Sequence, residues 1–227
     1  MALFKLLRQS PWSARLGLAM VLINVFAALF APVISPYTET EIVGDVWMPM
    51  SMDHFLGTDH LGRDLFTRMM YGARNTIAIA FITAILSFIV GIIFGFFAAT
   101  LGGWTDLTCS RIVDILMAFP TLIFALMALS IVGTSISALI LVIALLDSTR
   151  VYRLSRAVAM DIEVMEYVEA ARLRGERIWW LMSQEILPNA MPPLVAEFGL
   201  RFCFVFLFIA ALSFLGLGIQ PPMADWG

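Results

Sequence analysis

Long apolar runs alternate with polar segments along most of this chain. Apolar residues dominate from Leu16 to Ile34, from Thr76 to Leu101, from Ile112 to Val132 and from Leu194 to Leu217, and a shorter run extends from Ala138 to Leu146. A helix of about 20 apolar residues crosses a bilayer. The pattern therefore predicts an all-α, polytopic transmembrane helical bundle with about five spans, the fourth of which must include neighbouring polar residues.

Two polar segments are longer than a connection between spans requires. The first covers about residues 35–75, and the second covers about residues 150–189. The predicted organisation is a short N-terminal segment, residues 1–15, followed by one transmembrane domain, residues 16–227, that carries both loops. The first apolar run is longer than the roughly 7–15 residues of a cleavable signal, so we expect it to be retained.

Composition agrees with a membrane protein. Of the 227 residues, 61% are hydrophobic and 14% are charged, whereas a soluble domain carries about 25% charged residues. The two cysteines and two histidines follow no metal-ligand spacing. The sequence contains no phosphate-binding loop of the G-x-x-x-x-G-K-[ST] type. We therefore expect a chain that is not an enzyme and that binds no cofactor, metal or nucleic acid itself.

Basic residues predict the orientation of the spans, because Lys and Arg accumulate on the cytoplasmic side. If the N-terminus is cytoplasmic, the inner segments carry most of the basic residues, namely Lys5, Arg8, Arg15, Arg111, Arg150, Arg153, Arg156, Arg172, Arg174 and Arg177. In the first polar loop, acidic residues outnumber basic ones. The prediction is a cytoplasmic second loop and an outer first loop.

The second polar loop is predicted to contain a two-helix hairpin. Residues 161–173 lack Gly and Pro and are rich in helix-forming residues. Gly175 can end the first helix in a left-handed conformation, and Glu176 to Leu187 can form a second helix that Pro188 ends. The small side chains of Ala170 and Ala171 would allow another surface to approach one face of the hairpin closely. The alternative is an amphipathic segment on the membrane surface.

The order of residues in this loop resembles the EAA loop of the membrane subunits of bacterial ATP-binding-cassette importers. The matching residues are Glu169, Ala170, Ala171, Gly175, Ile186, Leu187, Pro188 and Asn189. In that family the loop contains the coupling helix, which occupies a groove on the ATPase subunit. The resemblance implies that these residues couple ATP-driven closure of the ATPases to movement of the spans.

The first polar loop carries a second motif, HFLGTDHLGRDLFTRMMYGARNT, at residues 54–76. Gly57 allows a tight turn, Thr58 can cap a following helix, and apolar residues at helical spacing predict an amphipathic helix at the outer face. The segment is similar to the FGTD-x-x-GRD segment of the peptide and nickel branch of the same family. Its candidate site residues are Gly57, Thr58, Asp59, Gly62, Arg63 and Asp64. Two roles stay open, namely capping the bundle or contacting a binding protein or the pore entrance.

Several residues inside the predicted spans affect helix geometry or carry a charge. Pro120 predicts a kink, either a hinge for alternating access or a static bend. Gly91 and Gly95 form a Gly-x-x-x-Gly pair that allows close helix packing, within the subunit or at a dimer face. Glu197 and Arg201 are predicted to neutralise each other. Asp147 is predicted to lie near a span end, within reach of water.

The resemblance implies a permease subunit in the bacterial inner membrane that imports peptides, nickel or opine-type solutes by alternating access. The implied partners are a second permease, two cytoplasmic ATPase subunits that bind ATP and Mg, a periplasmic or lipid-anchored binding protein, and membrane lipid. Members of the family usually have a sixth span, so a truncated, non-transporting remnant or scaffold is an alternative. An ion-coupled secondary transporter is a weaker one.

Overall fold

The computed structural model describes residues 11–227, and helices dominate this part of the chain. The helices are α1 (Trp12–Ile34), α2 (Leu65–Leu101), α3 (Gly103–Ala118), α4 (Thr121–Val132), α5 (Ile136–Glu163), α6 (Glu166–Leu173) and α7 (Ile178–Phe214). Isolated β-bridges join Ile42 to Arg63 and Thr58 to Asp64. The predicted all-α class is confirmed. The predicted N-terminal segment, with Lys5 and Arg8, lies largely outside the described residues.

The chain divides into two compact units. The first contains residues 11–78 and 219–227 of the described chain, and the second contains residues 79–218. The first unit includes the polar loop, which we define as residues 35–64, and the first turns of α2. The second unit includes α3 to α7 and the hairpin, which we define as residues 166–187.

Three helices within residues 11–227 are long and apolar enough to cross a membrane, namely α1, α2 and α7. The pair formed by α3 and α4 would add a fourth span if it crosses as one bent element. Helix α5 has 28 residues, but charged residues occupy its second half. It therefore extends well beyond the short apolar run that predicted a fourth span, and the total of five spans stays a prediction.

Two predicted helix boundaries are wrong. Residues 65–75 were expected in the outer loop, but α2 runs without a break from Leu65 to Leu101. Pro188 was expected to end the second hairpin helix, but α7 continues through it to Phe214. A π-helical turn at Leu181–Ile186 precedes this proline. Such a turn shifts the register of backbone hydrogen bonds, so a residue without an N–H is tolerated next to it.

Helices α2 and α5 pack closely at two glycines. A Cβ on Gly91 would lie 2.5 Å from the Cβ of Val151, and a Cβ on Gly95 would overlap the hydroxyl of Ser155. That hydroxyl donates to the carbonyl of Gly91 at 2.9 Å. The Gly-x-x-x-Gly pair therefore serves packing within the chain.

The predicted kink at Pro120 is a complete break. Helices α3 and α4 meet at an angle of 90°, and neither includes Phe119 or Pro120. Phe119 is extended, with φ −90° and ψ 141°, because a following proline disfavours helical geometry at the preceding residue.

Candidate functional site

The hairpin consists of α6, a tight turn and the first turns of α7. Gly175 adopts a φ of +80° and donates its N–H to the carbonyl of Arg172 at 2.9 Å. The helix end predicted at Gly175 is therefore confirmed. The first hairpin helix is shorter than predicted, because residues 161–163 belong to α5 and the chain turns at Val164 and Met165 before α6 begins.

One face of the hairpin is fixed to the core of the second unit. Val168, Ala171 and Ile186 each have an exposed fraction of 0%. They belong to one apolar cluster with Phe96 of α2 and Val151 of α5. The small side chain of Ala171 therefore serves a contact within the chain, and only Ala170 of the two predicted alanines is free to meet another surface.

The opposite face of the hairpin is exposed. Glu169, Ala170 and Gly175 are exposed, and Leu173 has an exposed fraction of 83%. Leu187 is half-buried and Pro188 is exposed. Contiguous exposed apolar surface with a polar rim marks contacts with other proteins. The hairpin thus has one side that anchors it and one side that is available to a partner.

Arginine side chains hold the hairpin in place. Arg172 donates to the carbonyl of Thr100, near the end of α2, at 3.2 Å and also pairs with Glu163. Arg174 lies 3.8 Å from a carboxylate oxygen of Glu185 in α7. These contacts link the turn to α2, α5 and α7, in addition to the apolar cluster.

In the first unit, residues 54–64 of the outer motif form part of a compact polar loop, and the predicted helix begins only at Leu65, as the first turns of α2. The carboxylate of Asp59 accepts hydrogen bonds from the backbone N–H groups of Leu61 at 2.8 Å and Arg63 at 3.0 Å. The guanidinium of Arg63 pairs with it at 2.7 Å. Burial raises the pKa of Asp59, but these hydrogen bonds outweigh burial and hold the pKa below its usual value.

The cap of α2 is Asp64 rather than the predicted Thr58. Asp64 directly precedes α2 and accepts from the N–H of Thr67 at 2.8 Å. It also lies 3.2 Å from Nδ1 of His54. Thr58 instead connects two segments of the loop. Its hydroxyl accepts from the N–H of Met48 at 2.8 Å and donates to the carbonyl of Asp45 at 2.6 Å.

The glycines of this motif allow close backbone contacts. Gly57 and Gly62 both adopt a φ of +76°, and a Cβ on either would overlap the carbonyl of Met48 or Gly44. All six predicted residues of the outer motif are buried. They shape the loop from inside, and none offers an exposed side chain. Between Pro11 and Gly227, no group of three or more His, Cys, Asp or Glu residues could hold a metal ion.

A contact that the motifs did not predict joins the C-terminal residues to the start of α2. The indole N–H of Trp226 donates to the carbonyl of Met69 at 3.0 Å, and the amide of Asn75 donates to the carbonyl of Ala224 at 2.9 Å. A carboxylate oxygen of Glu39 accepts from Asn75 at 3.1 Å and from the N–H of Ala224 at 3.3 Å. Local sequence patterns contain no signal for such distant pairing.

The second unit contains a charged cluster that the sequence reasoning misplaced. Asp147 was expected near water, but its exposed fraction is 7%. Its carboxylate accepts from the hydroxyl of Ser87 at 3.0 Å and lies 3.7 Å from the guanidinium of Arg201. Arg201 also pairs with Glu197 at 2.7 Å, as predicted. An ionisable residue between apolar residues in a membrane protein was the available signal for this cluster.

This cluster borders a cavity of about 270 Å³. The lining residues combine an apolar wall with polar groups, namely Thr121, Ile143, Asp147, Arg150, Phe204, Val205 and Phe208. Thr121 is the first residue of α4, so the break at Pro120 brings it to the cavity. The guanidinium of Arg150 lies 3.5 Å from the hydroxyl of Thr121.

Membrane-length helices and an exposed hairpin continuous with one of them define an α-helical membrane protein. Residues 91–227 match the family described as binding-protein-dependent transport system inner membrane component. The chain belongs to this family, whose members are permease components of ATP-binding-cassette importers.

Similar proteins include peptide permeases. The chain is 35% identical to the dipeptide transport system permease protein DppC of Alkalihalophilus pseudofirmus, over 99% of this chain and 74% of that protein. It is 38% identical to the di/tripeptide transport system permease protein DppC of Pseudomonas aeruginosa, over 93% of this chain and 72% of that protein. A solved structure of the MetNI methionine ABC transporter in inward-facing conformations has a TM-score of 0.58 at 22% identity, covering 66% of this chain and 76% of that chain. This last likeness concerns the fold.

Proposed function

We propose that this chain is a permease subunit that imports short peptides across the bacterial inner membrane, driven by ATP hydrolysis in partner subunits. Family membership supports transport, and the names of the similar permeases support peptides over nickel or opine-type solutes. The partners would be a second permease, two ATPase subunits that bind ATP and Mg, and a substrate-binding protein outside the membrane. The N-terminus and the hairpin would then lie in the cytoplasm.

The two-sided hairpin carries this proposal. Its buried face, with Val168, Ala171 and Ile186, fixes it to the permease core, and its exposed face, with Ala170 and Leu173, is available to an ATPase subunit. Helix α7 continues from the hairpin to Phe214. Closure of the ATPases would therefore move a membrane span directly, and the break at Pro120 would give α3 and α4 freedom to follow.

On the outer side, the polar loop would face the binding protein. Its buried motif residues fix its shape, whereas Trp47 and Met52 have exposed fractions of 71% and 91%. These apolar side chains are the surface that a binding protein would meet.

Two adjacent alanines provide the test. In the complex with its partners, Ala170→Glu should leave folding and membrane amount unchanged but lower peptide uptake at least about tenfold, because a charged side chain of this size in a desolvated interface costs more than 1.4 kcal/mol. The matched variant Ala171→Glu should lower the amount of folded protein, because it forces a carboxylate into the apolar cluster. Normal uptake by Ala170→Glu at normal protein level would contradict the proposed coupling role.

The alternatives give different results in the same assay. An ion-coupled transporter would keep its uptake when the ATPase partners are inactivated by mutation. A scaffold or remnant would show no uptake with any combination of partners. If the hairpin only lies on the membrane surface, a cysteine at position 170 would react with lipid-soluble probes and form no crosslink to an ATPase subunit.

A further inference from the structure

We propose that the cavity lined by Asp147 and Arg150 binds the two charged ends of a short peptide during transport. Arg150 would bind the C-terminal carboxylate, and Asp147 would bind the N-terminal ammonium group. This inference rests on the proposed function and deepens it, because it names side chains that contact the substrate.

The buried cluster beside the cavity contains more acidic than basic side chains. Arg201 lies 3.7 Å from Asp147 and 2.7 Å from Glu197, so two carboxylates share one guanidinium. Ionised, these three side chains sum to a net charge of −1, and the guanidinium of Arg150 balances it across the same cavity without an ion pair. Charges that are not directly paired are costly in low-dielectric surroundings. A zwitterion with its ammonium group beside Asp147 and its carboxylate beside Arg150 would pair both groups.

Arg150 supplies the opposite charge at the same cavity. Its hydrogen bond goes to the hydroxyl of Thr121 at 3.5 Å, and no carboxylate of the residues that the structure describes lies within the 4.0 Å limit of an ion pair with it. Arg153, three positions further along α5, pairs with Asp114 at 2.7 Å instead. Arg150 therefore has a guanidinium that can bind an anion without first breaking an ion pair.

The distance between Asp147 and Arg150 is compatible with the length of a dipeptide. Asp147 and Arg150 are three residues apart on α5, and side chains at this spacing lie on one helix face about 5–6 Å apart. Two extended peptide residues span at most about 7 Å, so the ends of a dipeptide can reach both groups. Ile143, Phe204 and Phe208 form an apolar wall for the peptide side chains.

The volume of the cavity limits the size of the ligand. The cavity of about 270 Å³ is slightly smaller than most ligand pockets, which hold about 300–1,000 Å³. It is large enough for one or two residues of a peptide. The class of ligand is therefore a short, zwitterionic peptide or the charged end of a slightly longer one.

The test uses the complete transporter in liposomes, with its ATPases and its binding protein preloaded to saturation with either a free dipeptide or the same dipeptide with a C-terminal amide. The wild-type complex should transport the free form faster. Arg150→Gln should lower the rate of transport of the free dipeptide about tenfold, as expected for loss of a charged hydrogen bond, and abolish the preference over the amide. Arg150→Lys should retain most of the preference for the free dipeptide. Arg153→Gln is the matched control and should keep the wild-type preference.

Asp147→Asn probes the other end of the ligand with N-acetylated and free dipeptides, and should remove the preference for a free amino group. Because Asp147 is buried beside Arg201, its substitution can also affect folding, so transport is compared per amount of folded complex. Persistence of the carboxylate preference in Arg150→Gln would overturn the inference. An equal loss for both peptides would also overturn it and would indicate a structural role or binding of a lipid phosphate. A wild-type complex that transports no peptide would refute the proposed function instead.

Discussion

Asp59 and Asp147 are two buried carboxylates in opposite situations. Asp59, with an exposed fraction of 6%, accepts hydrogen bonds from two backbone N–H groups and pairs with Arg63. These donors offset its burial and fix the fold of the polar loop. Asp147 has one hydroxyl donor and a guanidinium that it shares with Glu197. Complete pairing suits a structural role, whereas incomplete pairing leaves Asp147 capacity to bind a ligand.

Acidification should loosen the polar loop. The folded pKa of Asp59 lies below its unfolded value, so its contribution to stability is fully present above about pH 4 and is lost as the pH falls through the folded pKa. Amide hydrogen exchange at Leu61 and Arg63, corrected for intrinsic rates, should accelerate below about pH 4 relative to amides in α2. Asp59→Asn should remove this pH dependence. Equal pH profiles in the two proteins would show that another group controls the loop.

At the scale of elements, the length of each apolar run defines a span, but contacts with other parts of the chain decide where the helix ends and which helix it crosses. Helix α7 passes through Pro188 because the preceding π-helical turn accommodates it. Helices α3 and α4 separate at Pro120 with a bend of 90°. Pro188 and Pro120 thus have opposite effects, because a proline removes one backbone hydrogen bond and a helix can either continue past it or break there.

The crossing of α2 and α5 should be sensitive to a single methyl group. Gly91→Ala places a Cβ 2.5 Å from that of Val151, so the helices must separate, and we expect a loss of about 1–3 kcal/mol in unfolding free energy. Gly199→Ala on α7 is the control, because nothing lies within 4 Å of its Cβ. It should be neutral or stabilising by up to about 1 kcal/mol. Denaturation of the purified chain in detergent measures both, and equal effects would refute the close crossing.

At the scale of the whole molecule, the hairpin and the polar loop are expected on opposite sides of the membrane. In a chain without Cys109 and Cys203, a membrane-impermeant maleimide should label Met52→Cys in intact cells and Leu173→Cys only after permeabilisation. Both side chains are largely exposed, at 91% and 83%, so access to the thiol is set by the membrane. The reverse labelling pattern would place the hairpin outside and exclude contact with a cytoplasmic ATPase.

The sequence by itself determined the helical class, the membrane-length runs of α1, α2 and α7, the family, and the hairpin turn at Gly175. These features depend on consecutive residues, since apolar length, helix propensity and left-handed backbone geometry are local properties. The same local reasoning placed the cap at Thr58 instead of Asp64, because both residue types can cap a helix and the position of the helix start decides between them.

Only the tertiary structure decided which of these residues face the interior. The burial of Ala171, the polar loop around Asp59, and the cavity at Asp147 and Arg150 all depend on groups that are distant in sequence. The bond from Ser87 to Asp147 spans 60 positions, and the bond from Ala224 to Glu39 spans 185. Such contacts follow from the packing of whole helices, and no local pattern contains them, because burial is a property of the surfaces that a folded chain brings together.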